Sequence, residues 1–239
     1  MTTSATRMCL GLWLALAVAA AFAALPSSAA ATNECTFLAD CTSVPGPWVV
    51  VPAGTRATPF TSGATVLCPS GDSDQLAIGS DYQLSGGGPL QPFINRFLPG
   101  PGAGLITGAD AHFFAVNFDS PAAAFRPLVG CVQTSGPQAR DAAAGLQRGS
   151  RHAVRTREVR LRPSRRAKHI HRCRQGERLV NGVPGILFHT RRPPSAREMR
   201  DVTVTRRITR RGVQVSASTG PSVGDDERVT LQILAVCRR

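Results

Sequence analysis

The stretch ERVTLQILAV, Glu227 to Val236, alternates for ten positions and runs straight into Cys237. Strict alternation is the signature of a β-strand with one face on a core and the other on solvent. A second apolar run, PLVGCVQ at Pro127 to Gln133, delivers Cys131 in the same way. Upstream of each run lies another strand-like segment, HFFAVNFDS from His112 and GVQVSASTG from Gly212. Each is followed by a proline at the same offset, Pro121 and Pro221.

The match extends outward. VLCPSG (Val66 to Gly71) and HRCRQG (His171 to Gly176) both place Cys-x-x-Gly after alternating residues. Cys68 lies 63 residues before Cys131, and Cys173 lies 64 before Cys237. WVVVP (Trp48 to Pro52) faces VRLRP (Val159 to Pro163) in the same order. Landmarks repeated at nearly constant spacing indicate an internal duplication; chance similarity of two generic β modules is the alternative, since identity between the halves is low.

DVTVT (Asp201 to Thr205) also alternates, and Gly and Pro punctuate the chain at short intervals, as in GSDYQLSGGGP, LPGPGAG, NGVPG and RRPPS. Only ARDAAAGLQR (Ala139 to Arg148) reads as helical, and its place between the halves suggests a linker. Short antiparallel strands with frequent turns favour an all-β fold of two tandem β-sandwich-like modules. The expected organisation is a signal peptide over residues 1–31, a first β module with an N-terminal Cys loop over 32–136, a linker over 137–152, and a second, Arg-rich β module over 153–239.

The signal peptide is read from Arg7, an apolar run from Met8 to Leu25, and small residues from Ser27 to Ala31, with cleavage after Ala30 or Ala31. An uncleaved anchor is the alternative, because 18 apolar residues approach the length of a span. The small-residue run favours processing, which leaves no transmembrane segment and places the chain outside the cell or at its envelope. Cys9 departs with the signal, and six cysteines remain, an even number suited to disulfides in an exported chain. The repeated spacing selects Cys68–Cys131 and Cys173–Cys237, which leaves Cys35–Cys41 to close a short loop. Closing a loop of this length restricts the unfolded chain by roughly 4 kcal/mol, a large share of a small domain's stability.

Charge divides the halves. Residues 32–139 carry a net charge of −4, whereas residues 140–239 carry +16. Lys168 is the only lysine. Such an excess attracts anions, so Arg165, Arg166, Arg172, Arg206, Arg207, Arg210 and Arg211 are candidate contacts for an anionic envelope polymer or other polyanion. The competing view is a solvated strand face, because in VRTREVRLR and DVTVTRRITRR the arginines occupy the polar positions of a half-exposed sheet.

Motifs for catalysis are scarce. His169-x-His171 puts two imidazoles on one side of a strand, but no further ligand stands at a readable spacing and the flanking arginines repel a dication; surface-face histidines are the better reading. Gly71-Asp72-Ser73-Asp74 resembles the nucleophile block of a GDS-type esterase, yet the Asp-x-x-His that would supply the base is absent, and His112 follows Asp110 at the wrong spacing. Asp72, Asp74 and Asp81 have no calcium-ligand register. Tyr82 and Trp48 are the only mature Tyr and Trp, which disfavours aromatic sugar platforms and base-stacking sites. No cofactor, metal or catalytic group is expected.

The Cys-Pro-x-Gly start, Gly-rich turn and final strand ending in Cys resemble modules of exported actinobacterial proteins of unknown function. Cys68, Pro69, Gly71 and Cys131 carry the likeness in the first half, and Cys173, Gly176 and Cys237 in the second, where Arg174 replaces the proline. The resemblance implies no activity. An immunoglobulin domain would want a Trp soon after the first Cys and a Tyr two before the second, and Val129 and Ala235 stand there instead. The expected role is a secreted, non-catalytic binding or scaffolding protein; the alternatives are a polyanion binder acting through the second module, or a secreted hydrolase using Ser73. Intact-mass analysis of the exported protein should show loss of residues 1–30 or 1–31; a full-length mass would support the anchor.

Overall fold

The alternating stretch that opens the argument is strand β14 (Val229–Arg238), and nine of its ten residues are buried. Alternation therefore does not mark a solvent face here, which corrects the half-exposed reading. The odd positions Leu231, Ile233 and Ala235 enter one core, whereas Leu234 enters a second. The polar even positions are buried and paired. Gln232 accepts at Oε1 from the Thr65 amide at 2.6 Å, and its Nε2 donates to the Thr65 carbonyl at 3.5 Å. A side-chain amide thus occupies the place of a neighbouring strand. Thr230 Oγ1 lies 3.0 Å from His189 Nε2.

The computed structural model describes residue 35 and residues 41–69, 75–85, 90–94, 106–107, 110–118, 121–133, 152–209 and 212–238. All fall within one compact unit, Ala31–Arg239. The signal-peptide residues, the helix-like Ala139 to Arg148 and the GDSD stretch lie outside the described residues. Among those described, no helix is long and apolar enough to cross a membrane.

β14 belongs to a seven-stranded antiparallel central sheet. Its other strands are β1 (Cys41–Pro45), β2 (Trp48–Val51), β4 (Gln75–Leu84), β8 (Ala123–Gln133), β9 (His152–Arg160) and β11 (Arg178–Phe188). β4 follows one edge of β8 from Phe125 to Gln133, so β1 and β2 share the other. The order then runs β8–β2–β11–β14–β9. β2 and β11 join the two halves through Val50–Ile186, Val49–Leu187 and Trp48–Phe188.

Each half adds a smaller sheet. In the first, β3 (Phe60–Leu67), β7 (Asp110–Asn117) and β5 (Leu90–Ile94) pair in the order β3–β7–β5, with β6 (Ile106–Thr107) against the start of β7. In the second, β10 (Arg166–His171), β13 (Gly212–Ser218) and β12 (Thr203–Thr209) pair as β10–β13–β12. Val49, Val51, Phe125 and Val129 pack with Ala64 and Phe113 of the first small sheet. Val50, Ile186, Leu231 and Ile233 pack with Val213 and Val215 of the second. The small sheets therefore cover opposite faces of the central one, a three-layered arrangement where the sequence suggests two-layered units. Double coverage explains why β2 is buried along its whole length. One boundary also moves: β12 starts at Thr203 rather than Asp201.

The pairing pattern of the halves is the same. β4–β8–β2 corresponds to β11–β14–β9, and β3–β7–β5 to β10–β13–β12. Each long strand pair, β4–β8 and β11–β14, carries a bulge at the same place, between Ala77 and Gly79 and between Leu179 and Asn181. Each bulge directly follows the residue facing a half-cystine, Ala77 opposite Cys131 and Leu179 opposite Cys237. Three disulfides are formed: Cys35–Cys41, Cys68–Cys131 and Cys173–Cys237. The latter two, with Cα–Cα distances of 5.8 and 5.7 Å, each tie a small sheet to the central one.

The described helix, α1 (Ala196–Arg200), was not apparent from the periodicity because it is only five residues long. Its signal is Ser195-x-x-Glu198 after Pro193-Pro194, a capping box in which each side chain receives the other's backbone N–H.

Layer contact is close where β3 crosses β11. A Cβ added to Gly185 would sit 2.0 Å from the Gly63 carbonyl oxygen, so only glycine permits that backbone approach. Gly185→Ala should destabilise the fold by about 1–3 kcal/mol, read as a lower urea midpoint at unchanged slope; an unshifted midpoint would mean the layers separate freely.

Candidate anion-binding face

Residues on β10, β13 and β12 alternate between the core and the outside, and the register places them in rows. Facing the core are Ala167–Ala217–Val204 and His169–Val215–Arg206. Facing outward are Arg166–Ser218–Thr203, Lys168–Ser216–Thr205 and Ile170–Gln214–Arg207. The outward set holds three cations, four hydroxyls and one amide, with no carboxylate. Arg166 Nε donates to Ser216 Oγ at 2.8 Å, which holds its guanidinium over the middle strand. A depression of about 400 Å³ opens there, lined by Arg166, Lys168, Thr205, Gln214 and Ser216.

The other candidate cations divide by geometry. Arg165 sits exposed in the turn before β10, where Ser164 adopts a left-handed φ of 55°. Arg172 is exposed just beyond the end of β10. Arg206 is on the core-facing phase, and its Nη1 donates 3.0 Å to the Gly182 carbonyl; burial lowers its pKa. Arg207 faces outward. Arg210 and Arg211 lie outside the described residues.

His169 and His171 do share one side of β10, but it is the core-facing side, so they are half-buried rather than surface residues. The alternation that exposes Arg166, Lys168 and Ile170 turns the histidines inward. Burial is the main cause that lowers the His171 pKa, aided by the Arg157 charge and opposed by a hydrogen bond with the Arg155 backbone. Near them, Cys173, Glu177 and Cys237 bring ligand atoms within 4.8 Å of one another. Both sulfurs are consumed by the disulfide, and Glu177 binds Arg155 at 2.5 Å, so the trio is structural.

The residues of the esterase-like and calcium readings are not gathered. Ser73, Asp72 and Asp74 lie outside the described residues, and the Asp81 carboxylate accepts from the Tyr82 amide at 2.7 Å. His112 is 3% exposed, and its Nδ1 lies 2.9 Å from Thr65 Oγ1. Thr65 also meets Thr156 of β9 at 3.2 Å. The imidazole is therefore part of the polar seam between β3 and the central sheet.

One charged cluster escapes sequence reasoning. Arg192 bridges Glu198 at 3.4 Å and Glu227 at 3.2 Å, tying the cap of α1 to the turn before β14. Burial and the neighbouring Glu198 charge push Glu227 up. Glu198 is held below the usual range, because hydrogen bonds from Ser195 and the Arg192 charge outweigh its burial. Separations of 6 and 35 residues along the chain carry no motif.

Comparison with family models, curated proteins and solved structures finds no match.

Burial lowers the His112 pKa to about 4. Between that value and the unfolded value near 6.5, the unfolded chain binds a proton that the fold does not. This contribution is fully present above the unfolded pKa and is lost as pH falls toward 4, to a total on the order of 3 kcal/mol. His112→Asn, which keeps an acceptor for Thr65, should flatten the dependence of the urea midpoint between neutral pH and pH 4, leaving a residue from the lowered His171 and His189. An unchanged dependence would place the acid-sensitive group elsewhere.

Proposed function

We propose that the chain is an exported, non-catalytic binding protein built from a duplicated β module, and that its ligand is a non-aromatic polyanion bearing phosphate or sulfate groups. The observation that carries this reading is the outward face of β10–β13–β12, where Arg166, Lys168 and Arg207 frame hydroxyls and an amide without a carboxylate among them. Cations supply attraction, and neutral donors supply short hydrogen bonds to anionic oxygens. No aromatic side chain stands in those nine positions, which disfavours base stacking and a flat sugar platform. Export is supported by the leader-like N-terminus and by three disulfides, which persist in oxidising compartments. Duplication is supported by the matching strand pairings, bulges and half-cystines of the halves.

The face is tested with inorganic polyphosphate and dextran sulfate titrated at several salt concentrations. Wild-type affinity should fall as salt rises. A variant with Arg166→Ser, Lys168→Ser and Arg207→Ser should bind at least tenfold more weakly at low salt. Its log–log salt slope should be shallower by about 2, for three lost contacts at roughly 0.7 each. Salt-independent binding, or a folded triple variant with the wild-type slope, would overturn this assignment.

A further inference from the structure

The join between the halves implies a surface that the described strands leave unpaired. β2 of the first half pairs with β11 of the second. By the shared pairing pattern β2 corresponds to β9, and β11 corresponds to β4. Among the described strands, β9 pairs only with β14 and β4 only with β8. The described sheet therefore ends in the same two kinds of edge that the chain has already joined once internally.

The internal join is also open rather than closed. The strand order β4–β8–β2 is followed by β11–β14–β9, so the second half continues the first without reversing it. Yet β2 and β11 are antiparallel, and the small sheets lie on opposite faces. One half is converted into the next by a shift across the sheet and a half-turn about an axis in the sheet, perpendicular to the strands. Repeating that operation does not return to the start; such heterologous contacts extend indefinitely unless they close into a ring.

A side chain marks the β4 edge. Leu84 of β4 faces Phe125, and Ile186 of β11 faces Leu231. Each partner lies six residues before the half-cystine of its strand, Cys131 or Cys237, so Leu84 and Ile186 are equivalent. Ile186 pairs with Val50 across the join and is 1% exposed, whereas Leu84 is 41% exposed. Charge selects the partner. β9 carries Arg155, Arg157 and Arg160 with Glu158, which discourages two β9 edges from meeting. β4 contains Asp81 and no cation, and it belongs to the half of net charge −4, opposite a half of +16.

We propose that the β9 edge of one chain pairs with the β4 edge of a second copy, extending the central sheet from chain to chain in an open head-to-tail assembly. The occupant of each edge is another copy of this protein. The contact uses backbone hydrogen bonds, and the opposite charge of the halves orients the approach and makes assembly salt-sensitive.

The test uses the mature chain, without any polyanion, in sedimentation equilibrium from micromolar to near-millimolar concentration. The mass average should rise without a plateau and fall with added salt. Leu84→Lys puts a cation on the β4 edge. Glu158→Pro removes an amide that faces away from β14, because the ladder position set by the Leu161 amide bonding to the Val229 carbonyl turns residue 158 outward. Each variant alone should be monomeric with wild-type circular dichroism. Mixed together they should stop at a dimer, since one open edge of each kind remains. Should Glu158→Pro fail to fold, Leu84→Lys added to wild type should still shorten the assemblies as a chain terminator. A wild type that stays monomeric throughout overturns the proposal. So does a plateau at the dimer, or a Leu84→Lys protein that assembles as wild type does.

Discussion

Three backbone pairs, Val50–Ile186, Val49–Leu187 and Trp48–Phe188, turn two small β units into one sheet, and much of the interior follows from them. Without that join β2 and β11 would each be edge strands. With it, Trp48 to Val51 and the latter part of β11 are buried on both sides, since each half brings its own cover to a different face. A strand covered on both faces has no place for solvated polar groups, so every polar residue there must find a partner or cost a few kcal/mol. Gln232 meets that demand by pairing with the backbone edge of β3, and Thr230 by pairing with His189. The same closeness admits only glycine at residue 185 over Gly63, and at residue 182 beneath Val213.

The disulfides act at right angles to the hydrogen-bond ladders. Cys68–Cys131 and Cys173–Cys237 link a cover to the central sheet at the point where a bulge interrupts the β4–β8 or β11–β14 ladder. A bulge weakens pairing locally and increases twist. Placing the covalent link opposite the last residue before the bulge holds the layers together where hydrogen bonding is least regular. The first cover also leans across the join, since Thr65 of β3 contacts Gln232 and Thr156 of the second half. The second cover is bound mainly through the apolar contacts of Val213, Val215 and Ala217 with the central sheet.

The strand content was legible because alternation, turn residues and cysteine spacing are local signals. What lay beyond them was the third layer. Alternation in ERVTLQILAV has the same appearance whether its polar positions meet water or a second cover, and only long-range packing decides. For the same reason the phase of β10 was misassigned: ARG-rich flanks suggest a surface strand, but the choice of which alternate residues face the core depends on β13, more than forty residues later in the chain. The β2–β11 join has no sequence mark at all, because an edge strand and a central strand of four apolar residues read alike. The capping box of α1 could have been found from Ser195 and Glu198, whereas the Arg192 cluster could not.

The charge excess of the second half is only partly cancelled: exposed arginines such as Arg160, Arg172 and Arg178 have no carboxylate within salt-bridge distance among the described residues. Five of its seven described acids are drawn into structural contacts, Glu177 with Arg155, Glu198 and Glu227 with Arg192, Glu158 with Arg228, and Asp201 with Ser222, whereas Asp225 and Asp226 stand exposed in the turn before β14. Arg206 is spent on a backbone carbonyl. The carboxylates of Glu177, Glu198 and Glu227 are largely buried in these contacts, which removes them from the solvated surface. Among the described residues, no carboxylate lies within salt-bridge distance of Arg166, Lys168 or Arg207, and these three share the outer face of one sheet. With no acid among its nine outward positions, that sheet face carries a positive field.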